Sequence, residues 1–114
     1  MEYVAKHIQE PPTGEELLTI LTALANPHRL HIIAALLPGR EYVSELARKI
    51  GISRPLLHMH LQRLQVAGLV TSEFEISKDG RAVKYFEVTP FNIWLTPEVL
   101  AAAAGTLNNK TRDE

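Results

Sequence analysis

The middle of the chain carries a stretch of positive charge without any negative charge. Between Leu46 and Ser72 there is no aspartate or glutamate, and there are four basic side chains: Arg48, Lys49, Arg54 and Arg63. Such a stretch could neutralise phosphate groups, because phosphate binding depends on the local potential and not on the average charge of a protein.

The charge is segregated along the chain. Residues 40–85 contain eight Lys or Arg and five Asp or Glu, a balance of +3, whereas the remainder contains four against eight, a balance of −4. The net charge of −1 and the isoelectric point of about 6.5 therefore do not exclude nucleic acid, although they argue against a protein that coats DNA by charge alone. The absence of cysteine excludes disulfides, thiolate metal sites and cysteine nucleophiles.

The basic residues fall on two predicted helices joined by a tight turn. Gly51 is placed to close the first helix, Ser53 to cap the second, and Gly68 to end it. A helix over about 53–67 is therefore expected, preceded by another that ends at Ile50. Their apolar residues recur every three or four positions, at Val43, Leu46, Ala47 and Ile50, and then at Leu57, Leu61 and Leu64. Two helices joined in this way form a helix-turn-helix, whose second helix enters the major groove of DNA.

After Gly68 the apolar period changes to two, which predicts a hairpin over about 70–89. Asp79-Gly80 is typical of a two-residue type I′ loop. That loop predicts a register in which Glu75 faces Lys84, Phe74 faces Tyr85 and Ile76 faces Val83. The tip would then carry Lys78 and Arg81, as a basic wing beside the recognition helix.

Helices are also predicted on both sides of this unit. Thr13 and Glu16 have the spacing of a capping box that opens a helix through Ala25, and Thr96-Pro97-Glu98 begins a terminal helix rich in alanine. The first of these is apolar around most of its circumference, so we expect a second copy of the chain to cover part of it. The predicted dimer interface comprises Leu17, Leu18, Leu21, Leu24, Trp94, Leu100 and Ala103.

Between them, Asn26-Pro27 predicts the start of another helix. Its expected inward residues are Leu30, Ile33, Ala34 and Leu37. The whole chain is interpreted as an arm over 1–12, one domain over 13–107 and a frayed tail over 108–114. The longest apolar run, 32–37, is far too short to cross a bilayer and no leader opens the chain, so a cytoplasmic protein without a membrane partner is expected.

These elements together resemble the winged helix-turn-helix transcription regulators of the ArsR type, over about residues 14–90. The resemblance implies a mainly α fold with a small β-hairpin. It also implies a homodimer joined by its first and last helices, which binds a palindromic operator in double-stranded DNA and represses a promoter. The segments that carry it are LANPHRLHIIAALL, YVSELARKIGIS, PLLHMHLQRLQVAGLV and DGRAVKYFEVTP.

The outward face of the predicted recognition helix supplies most of the expected DNA contacts. Arg54 and His58 are expected to reach bases or phosphates, whereas Arg63 lies further along and is expected to meet phosphate. His60 lies beside the core face and is interpreted as structural. Met59 could touch thymine methyl groups or simply be exposed. The predicted DNA-binding residues are Ser53, Arg54, Pro55, His58, Met59, Gln62 and Arg63 on the helix, and Lys78, Arg81 and Lys84 on the wing.

Other chemistry is not predicted. His28 and His31 lie three positions apart but lack a nearby carboxylate, so no metal site is expected. Metal-sensing relatives use cysteines, or Asp and His on the terminal helix, and no histidine follows His60. Ser44 and Glu45 have no base and orienting group to complete a catalytic site, so no enzyme and no cofactor are expected. Two alternatives stay open: a protein-interaction module that has lost DNA binding, and a ligand-responsive sensor that does not use cysteine.

Overall fold

The computed structural model describes residues 11–107 of the chain. Most of the predicted arm and all of the predicted tail therefore lie outside the described residues. Within residues 11–107 there are five helices and three strands, in the order α1 Gly14–Leu24, α2 Pro27–Leu36, β1 Glu41–Tyr42, α3 Val43–Ile50, α4 Arg54–Val66, β2 Val70–Ile76, β3 Ala82–Val88 and α5 Pro97–Gly105. None of these helices is long and apolar enough to span a membrane.

The helices begin where local capping residues predict. Thr13 Oγ1 accepts a hydrogen bond from the Glu16 amide at 3.1 Å, and the Glu16 carboxylate accepts one from the Thr13 amide at 3.0 Å, which completes the capping box of α1. Asn26 caps α2, and Thr96 Oγ1 caps α5 by accepting from the Val99 amide. All three predicted helix starts are confirmed.

The turn between α3 and α4 is confirmed as well. Gly51 has a φ of 80°, and its amide donates to the Ala47 carbonyl at 2.8 Å. Ser53 Oγ then accepts from the Leu56 amide at 3.3 Å. Gly68, with a φ of 77°, turns the chain out of the second helix. Because glycine takes this left-handed conformation without a Cβ penalty, Gly51 can end α3 and Gly68 can turn the chain after α4, while Ser53 caps the start of α4.

The hairpin forms, but its predicted register is wrong by one residue. Phe74 faces Lys84 and Glu75 faces Val83 in an antiparallel sheet with the order β1-β3-β2. The loop has three residues, 78–80, because Ser77 N donates to Arg81 O at 2.8 Å and Gly80 N donates to Ser77 O at 2.9 Å. A type I′ loop needs positive φ at two successive residues, whereas in this turn only Gly80 has it.

The core lies among the first four helices and the sheet. The prediction for α2 is confirmed only at Ile33, which is half-buried and packs against the core. It is wrong at Leu30 (55% exposed), Leu37 (74% exposed) and exposed Ala34, whereas Ile32 and Leu36 are buried. From Leu30 to Leu37 every residue except His31 is apolar, so the spacing did not select one face. The largest fully buried side chains are Phe86, Ile32, Leu36, Leu46, Leu57, Leu61, Leu64, Leu69 and Val70.

The first and last helices pack against each other within one protomer. The Gly14 amide donates to Thr106 Oγ1 at 2.7 Å, and a Cβ at Gly14 would lie 2.6 Å from the Ala103 carbonyl oxygen. Leu17 is only 4% exposed and Ala103 only 2% exposed. These two predicted interface residues are therefore buried inside their own chain and offer almost no surface to a partner.

Candidate nucleic-acid interface

Helix α4 buries one face and leaves the other open. Leu57, His60, Leu61 and Leu64 are buried against the core. The opposite side is formed by the residues predicted to contact DNA, and all of them are exposed: Ser53, Arg54, Pro55, His58, Met59, Gln62 and Arg63. The helical part of the predicted site is thus accessible, with Arg54 and Arg63 on opposite flanks of the helix because nine residues separate them.

Only part of the basic stretch remains unneutralised. The Arg48 guanidinium pairs with Glu45, and the Lys49 ammonium pairs with Glu41. The hydrogen bond from Arg48 lowers the pKa of Glu45, so this carboxylate stays charged. Among the carboxylates of residues 11–107, none lies within salt-bridge distance of Arg54 or Arg63. The free positive charge of the stretch therefore lies on α4.

The wing tip carries two cations and one carboxylate. Lys78 and Arg81 are both exposed. Asp79 lies between them and turns back into the loop, where its carboxylate accepts hydrogen bonds from the Ser77 hydroxyl and the Arg81 amide. These hydrogen bonds, the Ser77 one first, hold the pKa of Asp79 below its usual value. The tip is therefore basic, but less so than its two cations alone suggest.

Lys84 lies apart from the tip. It is half-buried, and its Nζ lies 5.6 Å from the ring centroid of Phe74 and 5.4 Å from that of Phe86. An ammonium at this distance is attracted to the negative face of an aromatic ring. The structure therefore separates Lys84 from the other predicted wing contacts.

A polar cluster at the base of the wing was missed by the sequence analysis. Arg40 Nη2 donates to both carboxylate oxygens of Glu75, at 3.1 and 3.3 Å, and the Tyr42 hydroxyl donates to the same carboxylate at 2.5 Å. The Arg40 guanidinium also lies 4.1 Å from the ring centroid of Tyr85. The hydrogen bond from Tyr42 and the positive charge of Arg40 lower the pKa of Glu75.

This wing-base cluster, formed by Arg40, Tyr42, Glu75 and Tyr85, connects the hairpin to the helix-turn-helix. Tyr42 ends β1, pairs with Tyr85 of β3 and immediately precedes α3. The alternation of residues along the strands could have placed Glu75 and Tyr85 on one face only if the hairpin register had been known. The cluster is positioned to hold the wing at a set angle to α3 and α4.

A second missed contact lies beneath α4. Arg29 Nε donates to His60 Nδ1 at 3.1 Å, and Arg29 Nη1 donates to the carbonyl oxygens of Thr22 and Ala23 at 3.2 and 3.3 Å. Arg29 is 9% exposed and His60 is 3% exposed. His60 is thus part of the packed interior, as its position beside the core face predicted. An arginine within an apolar helix gave no sequence signal for this contact.

The two histidines of α2 lie at the surface of the protein or near it. His28 is half-buried and His31 is exposed. Within residues 11–107, no three His, Asp or Glu side chains lie close enough together to hold a metal ion.

An exposed, cationic second helix of a helix-turn-helix, followed directly by a hairpin, defines the class of winged-helix DNA-binding proteins. Residues 26–72 match the family model described as bacterial regulatory protein, arsR family. A regulator from Methanocaldococcus jannaschii, MJ0229, is 31% identical over 78 residues, which are 68% of this chain and 81% of that protein. The chain belongs to the arsR family and is a DNA-binding transcriptional regulator, not an enzyme.

Two further proteins are similar to this chain, the first over a smaller part of its length and the second at lower sequence identity. The regulator CmtR of Mycobacterium tuberculosis is 41% identical over 63 residues, so this chain spans 50% of its length. The winged helix-turn-helix domain of Mb0332 from Mycobacterium bovis has a TM-score of 0.55 and 24% identity, covering 79% of this chain and 73% of that one. This second likeness shows the fold.

Proposed function

We propose that this regulator is a dimeric repressor that places α4 in the major groove of its operator and the wing on the flanking backbone. The observation that carries the proposal is the exposure of Arg54 and Arg63 on the two flanks of α4, where neither has a carboxylate partner among residues 11–107. When such unpaired arginines bind phosphates, the counterions condensed on the DNA are released, and this release favours binding.

The N-terminal part of α4 is assigned to the bases. Arg54 and His58 lie in the first two turns, where a recognition helix comes closest to base edges. Ser53 Oγ accepts the capping hydrogen bond from the Leu56 amide, so its hydroxyl hydrogen remains free to donate to a phosphate oxygen. Gln62 and Arg63 follow one to two turns later, and Arg63 is assigned to phosphate.

The wing is assigned to the DNA backbone beside the groove. Lys78 and Arg81 extend from the exposed tip and supply its positive charge. Lys84 contributes less, because its ammonium would have to leave the rings of Phe74 and Phe86 to reach a phosphate. The wing-base cluster supports this assignment, since it ties the hairpin to the start of α3.

A second copy of the chain is proposed to cover the apolar surface formed jointly by α1 and α5. Leu18 is 53% exposed, Leu100 is 45% exposed and Trp94 is 70% exposed, while Leu21 and Leu24 are half-buried. The homodimeric state described for Mb0332 supports this proposal. A two-fold dimer would present two α4 helices to half-sites about one DNA turn apart, which makes the operator palindromic. Binding to chromosomal DNA places the protein in the cytoplasm.

The test is binding to the DNA upstream of the protein's own gene, measured by fluorescence anisotropy against a shuffled duplex of equal length. At about 0.15 M salt, charge-only binding weakens, and we expect at least about a thousandfold preference for the operator. Footprinting on the same fragment should show two symmetric protected half-sites. Equal affinity for the two duplexes would overturn the proposal and favour the protein-interaction module.

A further inference from the structure

Arg29 is a buried guanidinium that contacts two helices other than its own. From α2, its Nε donates to His60 in α4, and its Nη1 donates to the carbonyl oxygens of Thr22 and Ala23 in α1. These carbonyls lie at the C-terminal end of α1, where the helix dipole is negative and stabilises a cation. One side chain therefore joins the recognition helix to the body of the protein.

The contact with His60 requires a neutral imidazole. A guanidinium has only donors, so the nitrogen that Arg29 contacts must offer a lone pair, and the proton of His60 must reside on Nε2. A second proton would set an N–H against the Arg29 N–H at 3.1 Å and place two positive charges side by side. The hydrogen bond and the protonated imidazole exclude each other.

The surroundings of His60 also oppose protonation. From α2 it faces Arg29 and His28, whose ring centroid lies 5.3 Å from that of His60, and from α4 itself it faces Arg63. From α1 the site receives the two carbonyl oxygens already bound to Arg29. Burial, and then the positive charges of these neighbours, lower the pKa of His60.

We propose that Arg29 is a positioning residue for DNA recognition: through neutral His60 it holds α4 in the binding orientation, and protonation of His60 releases α4 and weakens operator binding. This inference rests on the proposed function of α4. His60 is flanked by His58, Met59 and Gln62 on the exposed side of the same two turns. A displacement at His60 therefore moves the side chains assigned to the bases.

The direction of the pH effect distinguishes this proposal from ordinary electrostatics. Acid in general adds positive charge to a protein surface, which strengthens binding to phosphate. Protonation of His60 should do the opposite. Because one proton per protomer is linked to the release of α4, the affinity of the proposed dimer can fall by at most about a hundredfold per pH unit.

The experiment measures the affinity of the full chain for its operator from about pH 8 to about pH 4.5 at constant salt, a range that extends below ordinary histidine titration because the pKa of His60 is lowered. Wild-type affinity should fall on acidification. His60→Asn keeps an acceptor near the Nδ1 position but cannot take a proton, so its affinity should not fall. His31→Asn, an exposed change on α2, is the matched control and should behave like the wild type. Wild-type binding that stays constant or strengthens in acid overturns the inference.

A second variant keeps the test valid if His60→Asn does not fold. Arg29→Lys retains the positive charge but not the planar fork that reaches both helices. It should weaken operator binding near neutral pH and flatten the pH response. A variant that loses stability but keeps the wild-type pH response would show that Arg29 is structural only.

Nuclear magnetic resonance of the free protein separates this inference from the proposed function. The Arg29 Nε–H signal and the His60 ring nitrogens should change together as acid is added, along with the amide signals of α4. If these changes occur but no operator is bound, the proposed function fails and the link remains. If the operator is bound and the α4 amides do not respond to His60, the link fails alone.

Discussion

The Gly14 amide donates a hydrogen bond to Thr106 Oγ1 at 2.7 Å, across 92 residues of sequence. Thr106 Oγ1 in turn donates to the Ala103 carbonyl at 2.8 Å. This contact joins the first and last helices within one protomer. The surface proposed for dimerisation therefore consists of α1 and α5 packed together within each protomer.

Gly14→Ala should destabilise the fold. A Cβ at this position would lie 2.5 Å from Leu107 Cγ and 2.6 Å from the Ala103 carbonyl oxygen, and a backbone atom cannot easily move aside. We expect a loss of about 1–3 kcal/mol in the free energy of unfolding, measured by urea denaturation. Gly105→Ala in α5 is the control, because nothing lies within 4 Å of its Cβ position. Equal stability of the two variants would contradict the close packing of α1 on α5.

Leu100→Glu should dissociate the proposed dimer without unfolding the protomer. Leu100 is 45% exposed on α5, so a charge there costs little in the monomer but would be buried at the interface. We expect the dimer dissociation constant to rise by at least about a hundredfold, a change of about 2.7 kcal/mol. Sedimentation equilibrium measures this. Leu37→Glu, at the exposed C-cap of α2, should leave the dimer intact; dissociation by the control alone would place the interface at this end of α2.

Arg54→Ala should weaken operator binding far more than Arg48→Ala. Both arginines are exposed and lie in the acid-free stretch, but Arg48 is already paired with Glu45. We expect a loss of about tenfold or more for Arg54→Ala and little change for Arg48→Ala, measured by anisotropy with circular dichroism as the folding control. If the two variants lost affinity equally, general charge and not the face of α4 would drive binding.

Glu75→Gln should loosen the wing while preserving the helices. The lowered pKa of Glu75 means that the folded state favours the carboxylate. The contribution is therefore present above the ordinary value of 4.5 and is lost as the pH falls through the folded-state pKa. The protection of the hairpin amides against hydrogen exchange, relative to the intrinsic rate at each pH, should fall in the variant at neutral pH and, in the wild type, only in acid. The control is Glu73→Gln, which removes another carboxylate of β2. The Glu73 carboxylate accepts a hydrogen bond from Tyr85, whereas Arg40 bonds to Glu75.

The helical elements were predictable because their signals are local. Thr13, Asn26, Ser53 and Thr96 each cap a helix within three residues along the chain, and Gly51 makes the turn by its own conformational freedom. The family resemblance rested on the same segments. The inward face of α2 was not predictable, because apolar residues lie on several sides of the helix and the packing that buries Ile32 and Leu36 involves distant parts of the chain.

By itself, the sequence determined the helix boundaries, the glycine turn, the existence of the hairpin and the exposed face of α4, since each depends on residues within one or two turns. The tertiary structure decided the one-residue shift of the hairpin, the pairing of Arg48 and Lys49, and the two contacts made by Arg29 and Arg40. Arg29 meets His60 across 31 residues, and Arg40 meets Glu75 across 35. Such contacts depend on how the elements pack, and no local pattern encodes the partner.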